Sequence, residues 1–267
     1  MGHLSDRPVA DILLRIVAQR RRRLAAGEAD GARWSGDSQP DPLPSTHPFL
    51  AALTAHRGRA VIAEVKMGSP RLGRLGERID PLAQARAYRR AGAAALSVVV
   101  EPDFFYGSYE LLTACRDAAG LPTIPKDFVV SRRQIELARE AGAAAILLIA
   151  ALYERDELVS WAQIARGEGL VPLVETHDDS DFEKLAGADW ELIGVNNRDL
   201  RTFEVDLENS IERVAAVPPG ALKVAESGIG SRADVDRLSG AGFDAFLIGE
   251  TLLLASDPEA VLRELVG

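Results

Sequence analysis

Cysteine and long apolar runs are scarce in this chain of 267 residues. Cys115 is its single cysteine, so the chain cannot form an internal disulfide, and such sparing use of cysteine is typical of a reducing, cytoplasmic setting. No apolar run approaches the roughly 20 residues that cross a bilayer, which predicts no membrane partner. The net charge of -9 argues against a nucleic-acid partner, because proteins that bind nucleic acids present concentrated positive charge.

Lysine is nearly as scarce. The chain has 31 basic residues, and only four of them are lysine. Lysine can lose its proton at accessible pH and arginine cannot, so lysine can serve as an acid or a base. Lys66 and Lys126 lie where apolar strands are predicted to end and are the candidates for proton chemistry. The positions of Lys184 and Lys223 are typical of a solvated helix residue and of a structural residue early in a strand.

Histidines are equally few. His3, His47, His56 and His177 show none of the spacings at which histidines bind zinc. The sequence therefore predicts no metal site.

An apolar strand followed by a helical pattern is the unit that repeats along most of the chain. The predicted strands are runs of Val, Ile and Leu, as expected of parallel strands that are buried on both faces. Eight such units in about 200 residues predict an α/β fold of the (β/α)8 or TIM-barrel type. The predicted strands lie near residues 60–66, 94–100, 122–126, 144–150, 170–175, 191–196, 221–226 and 243–249.

A doubly wound open sheet is the alternative fold. It would be expected to carry a glycine-rich phosphate loop after its first strand. The chain reads KMGSPRLG there, which is not that fingerprint, so the barrel is favoured.

The first 46 residues have a different character. Residues 8–25 show the apolar stripe of a helix, and residues 27–46 are rich in Gly, Pro, Asp and Ser, as in a loop or tether. We expect residues 1–46 to form a helical extension that caps the barrel, and residues 47–267 to form the barrel as a single domain.

Polar side chains lie at the carboxyl ends of several predicted strands, which is where the active sites of such barrels lie. A single polar residue in this position is usually structural, with a satisfied hydrogen bond. Three carboxylates and two lysines at equivalent positions are hard to explain by packing, so we expect them to converge on one site. The residues are Glu64, Lys66, Lys126, Glu175, Asn196, Glu226 and Ser227.

Glycines follow the seventh and eighth predicted strands, in the segments ESGIG at 226–230 and IGETL at 248–252. Barrels often bind a phosphate between these two loops, at the start of a short extra helix. The alternative is that the glycines only form turns. The pairing of the two segments favours a phosphate site, with Lys66 as a countercharge.

These residues together resemble the indole-3-glycerol phosphate synthase family, over residues 47–267 and more weakly in the first helix. Each motif alone is weak, but their order and spacing are highly specific. The motifs are AEVK at 63–66, SP at 69–70, FFYGS at 104–108, KDF at 126–128, AGAAAILLIAAL at 141–152, LVETHD at 173–178, IGVNNRDLRTFEVDL at 193–207, VAESGI at 224–229 and LIGETLL at 247–253.

The resemblance implies a carboxy-lyase of tryptophan biosynthesis. Its substrate would be 1-(2-carboxyphenylamino)-1-deoxyribulose 5-phosphate, which is closed to a ring, decarboxylated and dehydrated to indole-3-glycerol phosphate. No cofactor is expected, because the loss of carbon dioxide restores aromaticity and the enzyme mainly moves protons. A cytoplasmic monomer is expected.

The resemblance also implies roles for individual residues. Lys126 would be the general acid, Glu175 its acid–base partner, and Glu64 and Lys66 would assist. The substrate would be oriented by Asn196, Glu226, Ser227, Phe105, Phe128 and Arg198. The phosphate would be bound by Lys66, Ser69, Gly228, Gly249 and Thr251.

The chain departs from the usual family pattern around the expected mouth of the barrel. Met67, Arg71 and Leu72 replace a basic residue, a serine and a basic residue of the first loop. The other departures are Val100, Pro125 and Thr251. The catalytic carboxylates and lysines are intact.

Two other functions stay open at this point. The chain could be a different phosphosugar-handling barrel, although the Asp or Cys acid–base pair of the neighbouring isomerases has no counterpart here. It could also be a barrel that only binds a phosphorylated ligand, although the retention of both lysines and the carboxylates argues against this.

Overall fold

Eight parallel strands alternate with helices in the computed structural model, which describes residues 8–24, 40–70, 73–76, 79–199 and 204–267. The predicted (β/α)8 barrel is confirmed. The first to eighth strands are Ala60–Val65, Ala95–Val99, Thr123–Lys126, Ala145–Ile149, Val171–Thr176, Leu192–Asn196, Leu222–Glu226 and Ala245–Ile248.

Strand pairing runs around the barrel in the order third, second, first, eighth, seventh, sixth, fifth and fourth. The seam lies between the third and fourth strands, where Ala144 N–H donates to the Thr123 carbonyl oxygen at 2.9 Å. In the third strand, the backbone groups of residues 123 and 125 point toward the fourth strand. Residue 125 is a proline, which has no N–H and cannot donate the next hydrogen bond between these two strands.

The helices cover the outside of the barrel and its two ends. Serine and aspartate side chains cap several of them. The helices after the first and seventh strands end at Gly92 and Gly242, which have φ of 96° and 109° as expected of left-handed C-terminal caps. No helix of the described residues is long and apolar enough to cross a membrane. The helices are α1 Pro8–Leu24, α2 Pro48–Ala55, α3 Pro81–Ala91, α4 Tyr109–Ala119, α5 Arg132–Glu140, α6 Arg155–Gly167, α7 Asp179–Glu183, α8 Glu208–Arg213, α9 Arg232–Ala241, α10 Glu250–Leu254 and α11 Pro258–Val266.

Alternation along the strands divides the apolar core into two parts. On the first strand, Ala60 and Ile62 belong to the cluster inside the barrel, whereas Val61, Ala63 and Val65 pack in the cluster that includes the surrounding helices. Successive side chains of a strand point to opposite faces, so every second residue faces the barrel axis.

The amino ends of the strands are closed by α2. Its buried residues Phe49, Leu50 and Leu53 join the cluster inside the barrel. The segment before it is fixed to the same end, because Leu43 N–H donates to Glu191 Oε1 at 2.8 Å. The mouth at the carboxyl ends is therefore the open end of the barrel.

Helix α1 lies across this mouth, as predicted for an N-terminal cap. Arg20 forms a buried ion pair with Asp127, which directly follows the third strand. Arg23 makes a bidentate pair with Asp103 at 2.8 Å, at an exposed position. The predicted domain boundary at residue 46 stays a prediction, because residues 25–39 lie outside the described part of the chain.

The two arginine pairs of α1 differ in burial, and this difference predicts their effect on stability. We expect Arg20→Met to lower the free energy of unfolding by about 3–5 kcal/mol, because it leaves the Asp127 carboxylate buried without its cation. Arg23→Met is the matched control and should change this free energy by less than about 1 kcal/mol, since its side chain is 54% exposed and water screens the pair. Equal effects of the two variants in urea denaturation would contradict this account.

Candidate active site

Alternate strands of the barrel each place one ionisable side chain at the mouth. Alternate strands form the layers of side chains inside such barrels, and the period of two directs these residues inward. They are Glu64, Lys126, Glu175 and Glu226. Two residues before each of them on the same strand lies a residue that packs inside the barrel: Ile62, Ile124, Leu173 and Val224, respectively. They line a cavity of about 560 Å³.

Lys126 lies between two of the carboxylates. Its Nζ donates to Glu175 Oε2 at 3.0 Å and to Glu226 Oε2 at 3.1 Å. Burial by itself would lower the pKa of Lys126, but the charges of Glu175 and Glu226 outweigh burial and raise this pKa above its usual value. The ammonium therefore carries its proton in the ligand-free site.

Glu175 is held by three neighbours. Oε2 accepts from Lys126 and Oε1 accepts from Asn196 Nδ2 at 3.0 Å, while His177 Nε2 lies 3.0 Å from Oε1 in an ion-pair contact without hydrogen-bond geometry. Burial acts to raise the pKa of Glu175, but Lys126 and then His177 outweigh it and hold this pKa well below the usual range. Glu175 is an ionised carboxylate at neutral pH.

Glu226 shares Lys126 with Glu175 but has a different protonation state. Its side chain is 1% exposed, and Oε1 has no hydrogen-bond partner among the described residues. Burial raises the pKa of Glu226, Lys126 acts against burial, and the nearby Glu175 raises it further, to about 8. Two carboxylates of unequal pKa on one lysine form an acid and base assembly.

A second ion pair lies beside this one. Lys66 Nζ donates to Glu64 Oε1 at 2.8 Å. Burial acts to raise the pKa of Glu64, but Lys66 and Lys126 outweigh it, so this pKa lies below its usual value. Glu64 thus links the two lysines electrostatically.

Two glycines leave room for the buried carboxylates. A Cβ at Gly194 would lie 2.1 Å from Glu226 Oε1, and a Cβ at Gly249 would lie 2.3 Å from Glu64 Oε1. Both distances are far below any van der Waals contact. Gly194 lies in the sixth strand, and Gly249 directly follows the eighth. The space that a side chain would fill at each position is occupied by a carboxylate from a neighbouring strand.

One wall of the cavity is apolar. Phe105 and Phe128 have ring centroids 6.2 Å apart, and Phe105 is anchored through its N–H, which donates to the buried Glu101 carboxylate at 3.0 Å. Helix α1 completes this wall with Ile12, Leu13 and Ile16. Such a wall suits an aromatic ring.

The opposite rim is formed by the turns after the seventh and eighth strands. Ser227 and Gly228 have φ of 66° and 78°, a conformation that serine seldom adopts. Thr251 Oγ1 donates to the Ile229 carbonyl oxygen at 2.6 Å and so fixes the two turns to each other. Arg198 lies on the same rim, with Nη2 3.2 Å from Glu250 Oε2.

Comparison with known proteins decides the family. The family model for indole-3-glycerol phosphate synthase matches residues 13–265. The chain belongs to the indole-3-glycerol phosphate synthase family. A relative of that name from Koribacter versatilis is 46% identical over 221 residues, which are 82% of this chain and 85% of the relative. Another, from Desulfotalea psychrophila, is 40% identical over 258 residues, which are 96% of this chain and 99% of the relative.

Solved structures of lower identity support the fold alone. Thiamine phosphate pyrophosphorylase from Pyrococcus furiosus matches with a TM-score of 0.59 at 14% identity, over 79% of this chain and 95% of its own. The 3-hexulose-6-phosphate synthase from Salmonella typhimurium matches with a TM-score of 0.61 at 14% identity, over 78% of this chain and 96% of its own.

All residues that the resemblance to indole-3-glycerol phosphate synthases singled out line the one cavity described above. They are Glu64, Lys66, Ser69, Phe105, Lys126, Phe128, Glu175, Asn196, Arg198, Glu226, Ser227, Gly228, Gly249 and Thr251. Of the departures from the family pattern, Arg71 and Leu72 lie outside the described residues.

Sequence reasoning missed some contributors to the site and misread another. His177 was considered only as a metal ligand, and Gly194 was not noticed inside an apolar strand. The interpretation of Lys184 as a solvated helix residue is wrong, because its Nζ donates to the Ala150 carbonyl oxygen at 2.9 Å and to Asp181 Oδ1 at 3.0 Å. The sequence shows a cluster of acidic residues around His177 and Lys184, at 175, 178, 179 and 181, but does not show which of them make contact.

Proposed function

We propose that this chain catalyses the reaction after which its family is named. It would convert 1-(2-carboxyphenylamino)-1-deoxyribulose 5-phosphate into indole-3-glycerol phosphate, carbon dioxide and water, as a carboxy-lyase of tryptophan biosynthesis. The observation that carries this proposal is the position of Lys126 Nζ within hydrogen-bond distance of both Glu175 and Glu226, in a cavity with an apolar wall and a glycine-lined rim.

In the ring-closing step, Lys126 is the proton donor. The ring carbon that bears the carboxylate attacks the ketone carbon of the ribulose chain, and the ketone oxygen takes a proton from Lys126 as the new carbon–carbon bond forms. Loss of carbon dioxide then restores the aromatic ring. A proton donor placed at the forming alkoxide is worth about 10²–10⁴ in rate.

The dehydration step needs a base and an acid together. A proton leaves the reacting intermediate while its hydroxyl group departs as water, which completes the indole ring. The ionised Glu175 is suited to accept that proton, and a protonated lysine, Lys126 or Lys66, is suited to deliver one to the hydroxyl. Glu64 fixes the position of Lys66, because Lys66 Nζ donates to Glu64 Oε1 at 2.8 Å.

The remaining roles concern orientation of the substrate. The anthranilate ring would lie against Phe105 and Phe128, next to α1. Asn196, Glu226 and Ser227 would bind the ribulose chain, and Arg198 is suited to an anionic group of the substrate. The reaction as written consumes no oxidant or reductant, so no cofactor is needed.

The phosphate group would be bound between the turns after the seventh and eighth strands. Gly228 and Gly249 permit close approach of backbone N–H groups, Thr251 ties the turns together, and Lys66 and Ser69 line the same cavity. A sulfate-soaked crystal in which this position is empty while another is occupied would refute the assignment.

We further propose that the enzyme acts as a cytoplasmic monomer without nucleic-acid partners. The single cysteine supports the cytoplasmic setting, and the net charge of -9 argues against nucleic-acid partners. Sedimentation of the purified protein as a stable dimer would contradict the monomer.

Lys126→Met tests the central role. This variant keeps most of the side-chain length but has no proton to donate, so kcat should fall by about 10²–10⁴-fold. Lys126→Arg should fail almost as severely, because guanidinium does not release its proton. Formation of the indole product can be followed by its fluorescence.

Lys223→Arg is the matched control, since Lys223 lies early in the seventh strand and outside the residues that line the cavity; it should keep its activity. Near-normal turnover of Lys126→Arg would exclude Lys126 as the general acid. If the wild type only binds the substrate and never converts it, the binding-only alternative is correct.

A further inference from the structure

A line of alternating charges extends from the cavity through Glu175 to the outside of the barrel. Lys126 contacts Glu175, and His177 Nε2 lies 3.0 Å from the other oxygen of that carboxylate. His177 Nδ1 lies 3.6 Å from Asp181 Oδ2, and Asp181 Oδ1 accepts from Lys184 Nζ at 3.0 Å. Each charge in this line neighbours a charge of opposite sign.

His177 is inside the protein but outside the cavity. Its side chain is 7% exposed, and it is absent from the residues that line the cavity. Its backbone N–H donates to Asp181 Oδ2 at 3.0 Å, which fixes the residue at the start of α7. A substrate in the cavity would meet Glu175 and not His177.

We propose that His177 is a positioning residue, which keeps Glu175 ionised and turned toward Lys126. This rests on the proposed function, in which Glu175 accepts a proton from the reacting intermediate. His177 itself acts only through Glu175.

The comparison of Glu175 with Glu226 within this site carries the argument. Both carboxylates are nearly fully buried, with side chains 4% and 1% exposed, and both contact Lys126. Among the described residues no histidine contacts Glu226, and its pKa rises to about 8; Glu175 faces His177, and its pKa lies well below the usual range. Two carboxylates that share one lysine repel each other, so one of them tends to keep a proton. His177 Nε2 and Asn196 Nδ2, each 3.0 Å from Glu175 Oε1, favour the ionised form at Glu175 and leave the proton to Glu226.

The charges around His177 keep it protonated. Burial by itself would lower the pKa of His177, but Asp181 and Glu175 outweigh burial and raise this pKa to about 9. The other acidic groups at α7 are directed elsewhere: Asp178 caps α7 by accepting from Ser180 N–H at 3.1 Å, Asp179 pairs with Arg213 of α8 at 2.9 Å, and Glu183 is exposed.

Three variants of the full chain test the proposal. His177→Gln keeps a neutral donor near the position of Nε2 and removes the charge. Asp181→Asn removes the carboxylate that holds the histidine charged, and it serves as an independent variant should the first one fail to fold. His56→Asn, an exposed histidine at the end of α2, is the matched control.

We expect the acid limb of the kcat–pH profile to move to higher pH in His177→Gln, by about 1–3 pH units, which is the usual effect of a neighbouring opposite charge on a carboxylate. The sign follows because loss of a positive charge raises the pKa of Glu175, so that it becomes protonated and inactive at a higher pH. Asp181→Asn should instead lower the pH at which the His177 ring loses its proton, because it removes one of the two carboxylates that raise the pKa of His177. KM should stay unchanged, since His177 does not touch the substrate, and His56→Asn should match the wild type.

Histidine titration by NMR in the wild type separates this inference from the proposed function. We expect one buried imidazolium, assigned by its loss in His177→Gln, to stay protonated through pH 8. A neutral His177 ring at pH 7 would overturn the inference whether or not the protein converts the substrate. If the wild type is active and the acid limb is unmoved in His177→Gln, a purely structural role is shown instead. A wild type without turnover would refute the proposed function, whatever the state of His177.

Discussion

The partly buried ammonium group of Lys126, whose side chain is 26% exposed, is the constraint around which the mouth of the barrel is built. A charge taken out of water needs partners of opposite sign close by, and Glu175 and Glu226 provide them at 3.0 and 3.1 Å. The carboxylates need space in turn, and Gly194 supplies it for Glu226. Because the four odd-numbered strands each direct one ionisable residue inward, the barrel brings these groups together without any loop having to fold over them.

The same strand end also joins the active site to the N-terminal helix. Lys126 points into the cavity, and its neighbour Asp127 turns the other way and pairs with Arg20 of α1. Asp127 also accepts from Gln134 Nε2 at 2.8 Å and from Phe128 N–H at 2.9 Å. The backbone that carries Lys126 is therefore fixed from both sides, so the position of the proton donor and the attachment of α1 depend on adjacent residues.

The sequence allowed the fold and the inward-facing charged residues to be predicted, because both follow from periodicity and from the rule that barrel sites lie at the carboxyl ends of strands. It did not reveal His177, since that histidine acts across the turn to α7 and its partners become visible only when Asp181 is placed in space. Gly194 was missed because nothing in the sequence of an apolar strand indicates that a side chain from another strand, here Glu226, fills the space beside its glycine. The interpretation of Lys184 was wrong because a lysine on an exposed helix and a lysine that donates to a distant carbonyl oxygen have the same sequence pattern around them.

The unequal protonation of the two carboxylates on Lys126 is the central claim, and ¹³C NMR titration of the glutamate side chains tests it most directly. Labelled glutamate carboxyl signals, assigned with Glu175→Gln and Glu226→Gln, would be followed from acid to alkaline pH. The account predicts that Glu226 titrates near pH 8 while Glu175 stays ionised to well below the ordinary value for glutamate, about 4.3. Titration of both carboxylates together near that ordinary value would contradict it.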